Sequence, residues 1–479
     1  MVKTVSNPQS PDTTLGKALR INKDTNRYGA FAEIGAGQEV ARHFFQAGKA
    51  SQTIAKTISA YDMTVSDDIY GREPNGRYVC EPRLEKMLTH EYDLVVDRLT
   101  SVRGKESRFF AFANTVATAS ISGNKQTQKQ SHGWMGVRFQ TEPGGPANDI
   151  ILHVRMLDRA RLQQQEALGV LGVNLLDCAF YHLDKAEDFI SYLVENLRDG
   201  QIVIDVIRFK GPALAHFHQG LMNLELVNRG LAEAILFSPK NEILNISDAI
   251  YGKSLLIQRG TFRPVTTTHI DVLQKGLKQL QGEIQNHEKA GTEILPIMEL
   301  TMHNLQTDGH INEKDFLDRV EALTSLGMHV MISNFFLFYG LKRFIRRYNT
   351  HFMALVVGAS HLNKLFNEKH YENLEGGILE GLGKLMEPKT KLYVYPHKTS
   401  DLCLTTRSFF PDPQLRHIYS YFIENKQIQD ISGCDETDEY LHSIDVMKMI
   451  ENSDPRWESC VPETVRDLIK SKKLFGYHS

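Results

Sequence analysis

Between residues 230 and 400 of this 479-residue chain, short apolar runs alternate with amphipathic stretches, and this rhythm limits the fold more than any other feature. The runs are AEAILF, SLLIQRG, EILPIMELTM, MHVMISN, HFMALVVGA and KLYVYP. Between them, HIDVLQKGLKQLQ, EKDFLDRVEALTSLG, FFLFYGLKRFIRRYN and a stretch near SHLNKLF space their apolar residues as helices do. A strand that is apolar throughout is buried on both faces, and a helix of roughly 10 to 15 residues between two such strands makes a right-handed crossover. The expectation is an α/β, Rossmann-like parallel sheet in the C-terminal half, over 230–400.

The rest divides by composition. Residues 1–27 are polar, with Pro8 and Pro11, and read as a flexible arm. Residues 28–229 read as an α+β N-terminal domain. Its opening segment is rich in small residues, with helical spacing through Val40, Phe44 and Phe45, and PRLEKMLTHEYDLVVDRL gives a second helix. RFFAFANTVATAS, GWMGVRFQ and DIILHVRML, within 108–157, read as antiparallel strands. Helices follow over about 159–182 and 186–197, then the strand QIVIDVIRF. IGAGQEVA shows no strand before it and is not read as a dinucleotide loop. Residues 401–479 read as a helical C-terminal extension. No fixed-period repeat is visible.

Composition excludes several roles. Formal charge is −3, from 55 basic and 58 acidic residues, which gives no global attraction to nucleic acid. No apolar run reaches the roughly 18 residues a membrane helix needs. The N-terminus lacks an apolar signal core, and Asp12 and Asp24 speak against a transit peptide. The five cysteines form no CxxC pair, so five thiols rather than a disulfide framework or zinc site are expected, with a cytoplasmic location. Assembly into homo-oligomers is left open.

In an open parallel sheet, ligands collect beyond the carboxyl ends of the strands. Those ends carry Arg259 to His269, then His303 and Asn304, then Asn334, then Ser360 and His361. The strongest segment is GTFRPVTTTH, residues 260–269, between a strand and a helix. Gly260 permits close backbone approach, Pro264 fixes the turn, and Thr266 to Thr268 can cap the helix. The unpaired N–H groups of that helix start attract an anion, with His269 in the first turn facing it.

GTFRPVTTTH resembles the G-x-F-x-P-x-T-x-x-H signature of the nucleotidyltransferases related to nicotinamide or nicotinate mononucleotide adenylyltransferase and phosphopantetheine adenylyltransferase. The resemblance implies a Rossmann-like fold in which Thr266 and His269, the catalytic candidates, contact the phosphates of ATP. Gly260 and Phe262 would lie on the phosphate-side loop. Arg263 stands where that family has an acidic residue or Asn, and Thr268 where it has Gly. The family's later I-S-S-T-x-x-R motif is not found; SDLCLTTRSFF offers Thr405, Thr406 and Arg407. Arg263, Asn334 and His361 join Gly260 and Phe262 as candidate binding residues for ATP, with Mg²⁺. The whole chain is also similar to bacterial proteins that carry RYGAFAEIGAGQEVARHFF near the start and end in LFGY, described as nicotinamide-nucleotide adenylyltransferase-like. The expected function is transfer of AMP from ATP to a phosphorylated nucleotide, such as nicotinamide or nicotinate mononucleotide, as in NAD biosynthesis. The alternatives are a non-catalytic nucleotide-binding or scaffold protein, and a metal-dependent hydrolase.

Four other groupings are ambiguous. Asp205 and Glu299 sit inside apolar strands, where a carboxylate is either ion-paired or reactive, and both would serve the hydrolase reading. His216 and His218 lack a third metal ligand nearby. Lys342, Arg343, Arg346 and Arg347 form either an anion patch or a solvated helix face. The glycines of LEGGILEGLGKL read as packing or helix ends.

Overall fold

The computed structural model describes residues 12–74, 76–119, 131–285, 292–307, 310–398, 402–431, 433–434 and 441–478. The chain divides into two compact units, Met1–Ala232 and Glu233–Ser479.

The first unit is built on six strands: β1 (Arg27–Ile34), β2 (Ile54–Ile58), β3 (Arg108–Ala117), β4 (His132–Gln140), β5 (Ala147–Met156) and β6 (Ile202–Lys210). Their order is β2-β1-β3-β4-β5-β6. The first three run parallel, and β3 to β6 form an antiparallel meander. The antiparallel reading of 108–157 holds. The segment around AFAEI is a strand, and the helical spacing through Val40, Phe44 and Phe45 belongs to the helix that follows it, Glu39–Ala47. The strand lies between β2 and β3 with Ala30, Phe31 and Ala32 fully buried, so its small residues reflect tight packing. A Cβ on Gly29 would meet the Phe110 carbonyl oxygen at 2.2 Å.

A strand therefore does precede IGAG, and the chain turns through Gly35 (φ +101°) and Gly37 (φ +81°) into the helix Glu39–Ala47. This turn is nevertheless not an open anion cradle. The Glu33 carboxylate accepts the N–H groups of Val40 at 3.2 Å and Ala41 at 2.9 Å, and the Asn114 amide at 3.0 Å. The chain's own carboxylate thus fills the helix start. Burial pushes the Glu33 pKa up to about 7, against the pull of those hydrogen bonds.

The expected arm is also corrected. Residues 1–11 lie outside the described residues, but Thr14–Lys23 is a helix capped by Thr13. Ala18 and Ile21 are fully buried, and the Lys17 ammonium donates to Asn174 at 2.9 Å and pairs with Glu195 at 2.6 Å. The Asn22 amide donates to the carbonyls of Phe44 and Gly48, both at 2.8 Å. A mostly polar sequence hid the one face that matters, which places Lys17, Ala18, Ile21 and Asn22 against neighbouring helices.

The second unit carries an eight-stranded sheet. Its strands are β7 (Ala234–Phe237), β8 (Ile243–Leu244), β9 (Ser254–Arg259) and β10 (Ile294–Thr301). After a two-stranded hairpin of β11 (Gln306–Thr307) and β12 (His310–Ile311) come β13 (His329–Ser333), β14 (Met353–Gly358) and β15 (Thr390–Tyr395). A second small hairpin, β16 (His397–Lys398) with β17 (Cys403–Leu404), precedes β18 (Ile428–Asp430). The order β18-β15-β14-β9-β10-β13-β7-β8 is parallel from β18 to β13, with β7 and β8 antiparallel at one edge. The α/β, Rossmann-like expectation holds. Two details differ: AEAILF supplies β7, antiparallel to β13 and next to the edge strand β8, and the sheet extends past residue 400 through β18. Helices cover a core of β9, β10, β14 and β15 side chains, among them Leu255, Ile257, Ile297, Leu355 and Val394.

The cysteine expectation fails at one place. Cys403 and Cys434 form a disulfide. They are 31 residues apart in sequence, and only the fold brings them together, so spacing gave no sign of the pair. No helix among the described residues is long and apolar enough to cross a membrane.

Two outcomes follow for the first unit. Ile21→Ala should destabilise it by about 2 to 5 kcal/mol in denaturant unfolding, because a fully buried side chain is lost; a change near zero would restore the arm. Glu33 binds its proton more tightly folded than unfolded. Stability should therefore fall as pH rises from about 4.5 to 7, by about 3 kcal/mol in total. Glu33→Gln should remove that part of the slope.

Candidate functional site

In the sequence of crossovers the strand order steps from β9 to β10 and β13 on one side, then returns to β14 and β15 on the other. The reversal at β9 and β14 leaves a crevice beyond the carboxyl ends, where open α/β sheets bind ligands. A cavity of about 560 Å³ opens there, lined from the ends of β9, β10, β14 and β15. That volume suits a small organic ligand.

Its floor rests on a buried ion pair. Arg259, the last residue of β9, faces Glu299 on β10 in register. The guanidinium donates to both carboxylate oxygens at 2.9 Å, and the Ser333 hydroxyl on β13 donates to Glu299 at 2.6 Å. Glu299 is fully buried. It is the ion-paired carboxylate rather than a reactive one. Arg259 also donates to the Phe336 carbonyl at 2.8 Å and lies 4.1 Å over the Phe338 ring. It therefore enters the cavity wall with its plane fixed.

The 260–269 loop forms one wall. Gly260 lines the cavity, its N–H donates to the Glu299 carbonyl at 3.1 Å, and a Cβ there would meet the Phe262 ring at 2.8 Å. Phe262 is fully buried at φ +46° and packs edge-on to His269, with ring centroids 4.9 Å apart. It supports the loop from behind. Thr266 is fully buried and does not line the cavity. It caps the helix Thr267–Ile284, and its N–H donates to His269 Nδ1 at 3.0 Å. Because Nδ1 accepts, the neutral ring carries its hydrogen on Nε2. Burial, then the nearby His442, lowers the His269 pKa to about 4. His269 is thus a neutral donor in the cavity wall.

Of the other candidates, His361 lines the cavity and Asn334 and Arg263 do not. The Asn334 N–H donates to the Glu233 carbonyl at 3.0 Å. Arg263 turns to the helix Glu313–Thr324 and pairs with Asp315 at 2.5 Å, which also pairs with Arg319. Arg319 in turn holds the loop, donating to the carbonyls of Thr261 at 3.2 Å and Asn304 at 2.9 Å. The His361 pKa is lowered, first by removal from water and then by Lys364, His442 and His397.

Sequence reasoning missed the contributions from beyond the strand ends. Lys364, His370 and the segment His442–Ile444 all line the cavity. Ser443 fixes that last segment, donating from its hydroxyl to the Pro264 carbonyl at 2.9 Å. Nothing in the polar tail marks His442–Ile444, and only the return of the chain after β18 places them. Phe336 stands at the rim, flanked edge-on by His303 and His370 with centroids 5.7 and 5.2 Å away.

Taken together, the described lining holds Arg259, Lys364 and the imidazoles of His269, His303, His361, His370 and His442, but no Asp or Glu. Such a wall favours an anionic ligand. It offers Mg²⁺ none of the carboxylate oxygens that metal takes from proteins. Among the described residues no group of three or more His, Cys, Asp or Glu is placed to hold a metal ion.

The remaining groupings are structural. In the first unit Asp205 pairs with His153 at 2.5 Å and Arg155 at 3.4 Å. Burial opposes its ionisation, but those partners outweigh it and hold its pKa low. His216 meets the Leu183 carbonyl and His218 caps a helix. In the second unit Lys342 pairs with Glu387 and Arg347 with Glu233, while Arg346 donates to the His351 and Lys389 carbonyls. Gly381 lies against the Tyr371 ring, as packing requires.

Arg259→Ala should cost about 3 to 5 kcal/mol of stability in the second unit, because Glu299 is then buried without its partner. Thermal unfolding reads this directly. An unchanged midpoint would show that the pair does not carry the cavity floor.

No known family and no curated protein matches the chain. Solved structures do, each at low identity. A competence/damage-inducible protein from Agrobacterium tumefaciens is 17% identical and covers 34% of this chain and 93% of its own, with a TM-score of 0.26. A CinA-superfamily protein from Enterobacter cloacae is 14% identical, over 37% of this chain and 98% of its own, with a TM-score of 0.26. The nicotinic acid mononucleotide adenylyltransferase of Plasmodium falciparum is 12% identical, over 47% of this chain and 98% of its own, with a TM-score of 0.29.

Proposed function

We propose that the second unit binds a nucleotide and transfers AMP from ATP to a phosphorylated nucleotide, nicotinamide or nicotinate mononucleotide being the class the GTFRPVTTTH resemblance implies. One observation carries the reading: a largely apolar cavity whose polar lining includes Arg259, Lys364 and five imidazoles but no Asp or Glu opens at the reversal point of the sheet, with the 260–269 loop as a wall. Phe336, exposed at the rim between two imidazoles, gives a planar heterocycle a surface to stack on.

The reaction asks little covalent chemistry of the protein. A phosphate oxygen of the cosubstrate attacks the α-phosphorus of ATP, and the bond to pyrophosphate breaks in line. Catalysis is then positioning and charge stabilisation. His269 donates from Nε2 to a phosphate oxygen, and Thr266 keeps that hydrogen on Nε2. Arg259 and Lys364 supply positive charge, and Gly260 lets the phosphates approach the backbone. Mg²⁺ would enter as the counter-ion of ATP, since the wall holds no carboxylate for it. Binding without turnover is the second reading. It is favoured by Arg263, which is engaged with Asp315 instead of the cavity.

His269→Ala should weaken ATP binding by about 10- to 150-fold, the worth of one hydrogen bond to a charged group, without unfolding the protein. Calorimetry reads the affinity, and pyrophosphate release separates transfer from binding alone. Wild-type affinity in the variant, or no ATP binding by the wild type at millimolar nucleotide, would defeat the reading.

A further inference from the structure

The Cys403–Cys434 bridge joins two chain segments that each adjoin residues lining this cavity. Cys403 is in the β16–β17 hairpin, which directly follows β15, whose Tyr395 lines the cavity. Cys434 closely follows β18. A few residues further along the chain, His442, Ser443 and Ile444 form the cavity's C-terminal wall. His397, paired with Leu404 in the hairpin, has its ring 5.7 Å from that of His442. The bridge therefore ties together the two chain segments that flank this wall.

The sheet does not depend on it. β18 pairs with β15 through Leu392 and Ile428, and Ile428 is buried in the core. Next to the bridge, the Thr406 N–H and hydroxyl donate to the Asp430 carboxylate at 2.9 and 2.7 Å. Both cysteines are half-buried, within reach of a small thiol, whereas Cys80 and Cys178 are buried. The wall itself is held to the 260–269 loop by the Ser443 hydrogen bond to the Pro264 carbonyl.

We propose that Cys403–Cys434 is a thiol-reversible latch that holds the His442–Ile444 wall in its ligand-binding position. A dithiol opens it. One thiolate attacks a bridge sulfur, forming a mixed disulfide and expelling the other cysteine as thiolate. The second thiol of the reagent displaces the first cysteine, leaving two cysteine thiols and the cyclic disulfide of the reagent. Two electrons pass to the protein, and an oxidised dithiol reverses the step. Opening leaves the sheet intact and loosens the wall, which lowers the fraction of molecules competent to bind. The ligand part of this inference rests on the nucleotide reading above.

The test compares full-length oxidised protein with protein treated with dithiothreitol. Hydrogen exchange is measured at residues 441–450 and ATP affinity by calorimetry. The expected result is faster exchange at 441–450 on reduction, unchanged exchange in β9, β10 and β14, and at least about tenfold weaker ATP binding. Cys403→Ser and Cys434→Ser should each behave as reduced protein and ignore dithiothreitol, while Cys80→Ser should keep the response. Equal exchange at 441–450 in both states would overturn the latch, as would five titratable thiols in unfolded, non-reduced protein. Should exchange change while the oxidised protein binds no ATP, the latch stands and the nucleotide reading falls.

Discussion

A carboxylate fully buried near the end of a parallel sheet must be satisfied by the protein, because it has no water to turn to. Arg259 satisfies Glu299 with two parallel hydrogen bonds, and Ser333 adds a third contact to Glu299. The pair joins three adjacent strands at the depth where the sheet reverses direction. It leaves Arg259 with its plane fixed in the cavity wall and Gly260 bonded to the Glu299 carbonyl. The start of the 260–269 loop is thus set by the same residues that close the floor. A salt bridge of this kind adds little net stability against an apolar isostere, but losing one partner is costly. Its contribution here is geometric: it decides where the loop begins and which way the cation points.

From that start the loop is built to hold one imidazole in one state. Thr266 caps the helix and engages Nδ1, Phe262 packs against the ring, and Arg319 holds the loop backbone from behind. Most of the motif therefore faces the protein, and Gly260, Thr261 and His269 face the cavity. Removing His269 from water keeps it neutral, so it contributes a directed donor, while Arg259 and Lys364 contribute the charge.

The parallel sheet was legible in the sequence because its strands are apolar on both faces and its helices fill the gaps between them. The loop was legible because glycine, proline and threonine each have a local conformational reason to stand at a strand–helix junction. What was not legible depended on tertiary pairing. AFAEI looks like a helix or a strand equally well, and only burial between β2 and β3 decides. The helix Thr14–Lys23 hides its apolar face in a polar sequence. Arg263 was a candidate cation by position, yet the closeness of Asp315 on another helix claims it. His442 and the Cys403–Cys434 bridge come from segments with no apolar rhythm, so neither the wall residue nor the pairing of the cysteines could be read before the fold was known.

The central claim is that the cavity beyond β9 and β14 holds the phosphates of a nucleotide. A crystal structure with a non-hydrolysable ATP analogue tests it most directly. The account predicts phosphate oxygens within hydrogen-bond distance of His269 Nε2 and beside Arg259, with the His442–Ile444 segment closing over them. Nucleotide bound elsewhere on the chain, with this cavity empty, would contradict it.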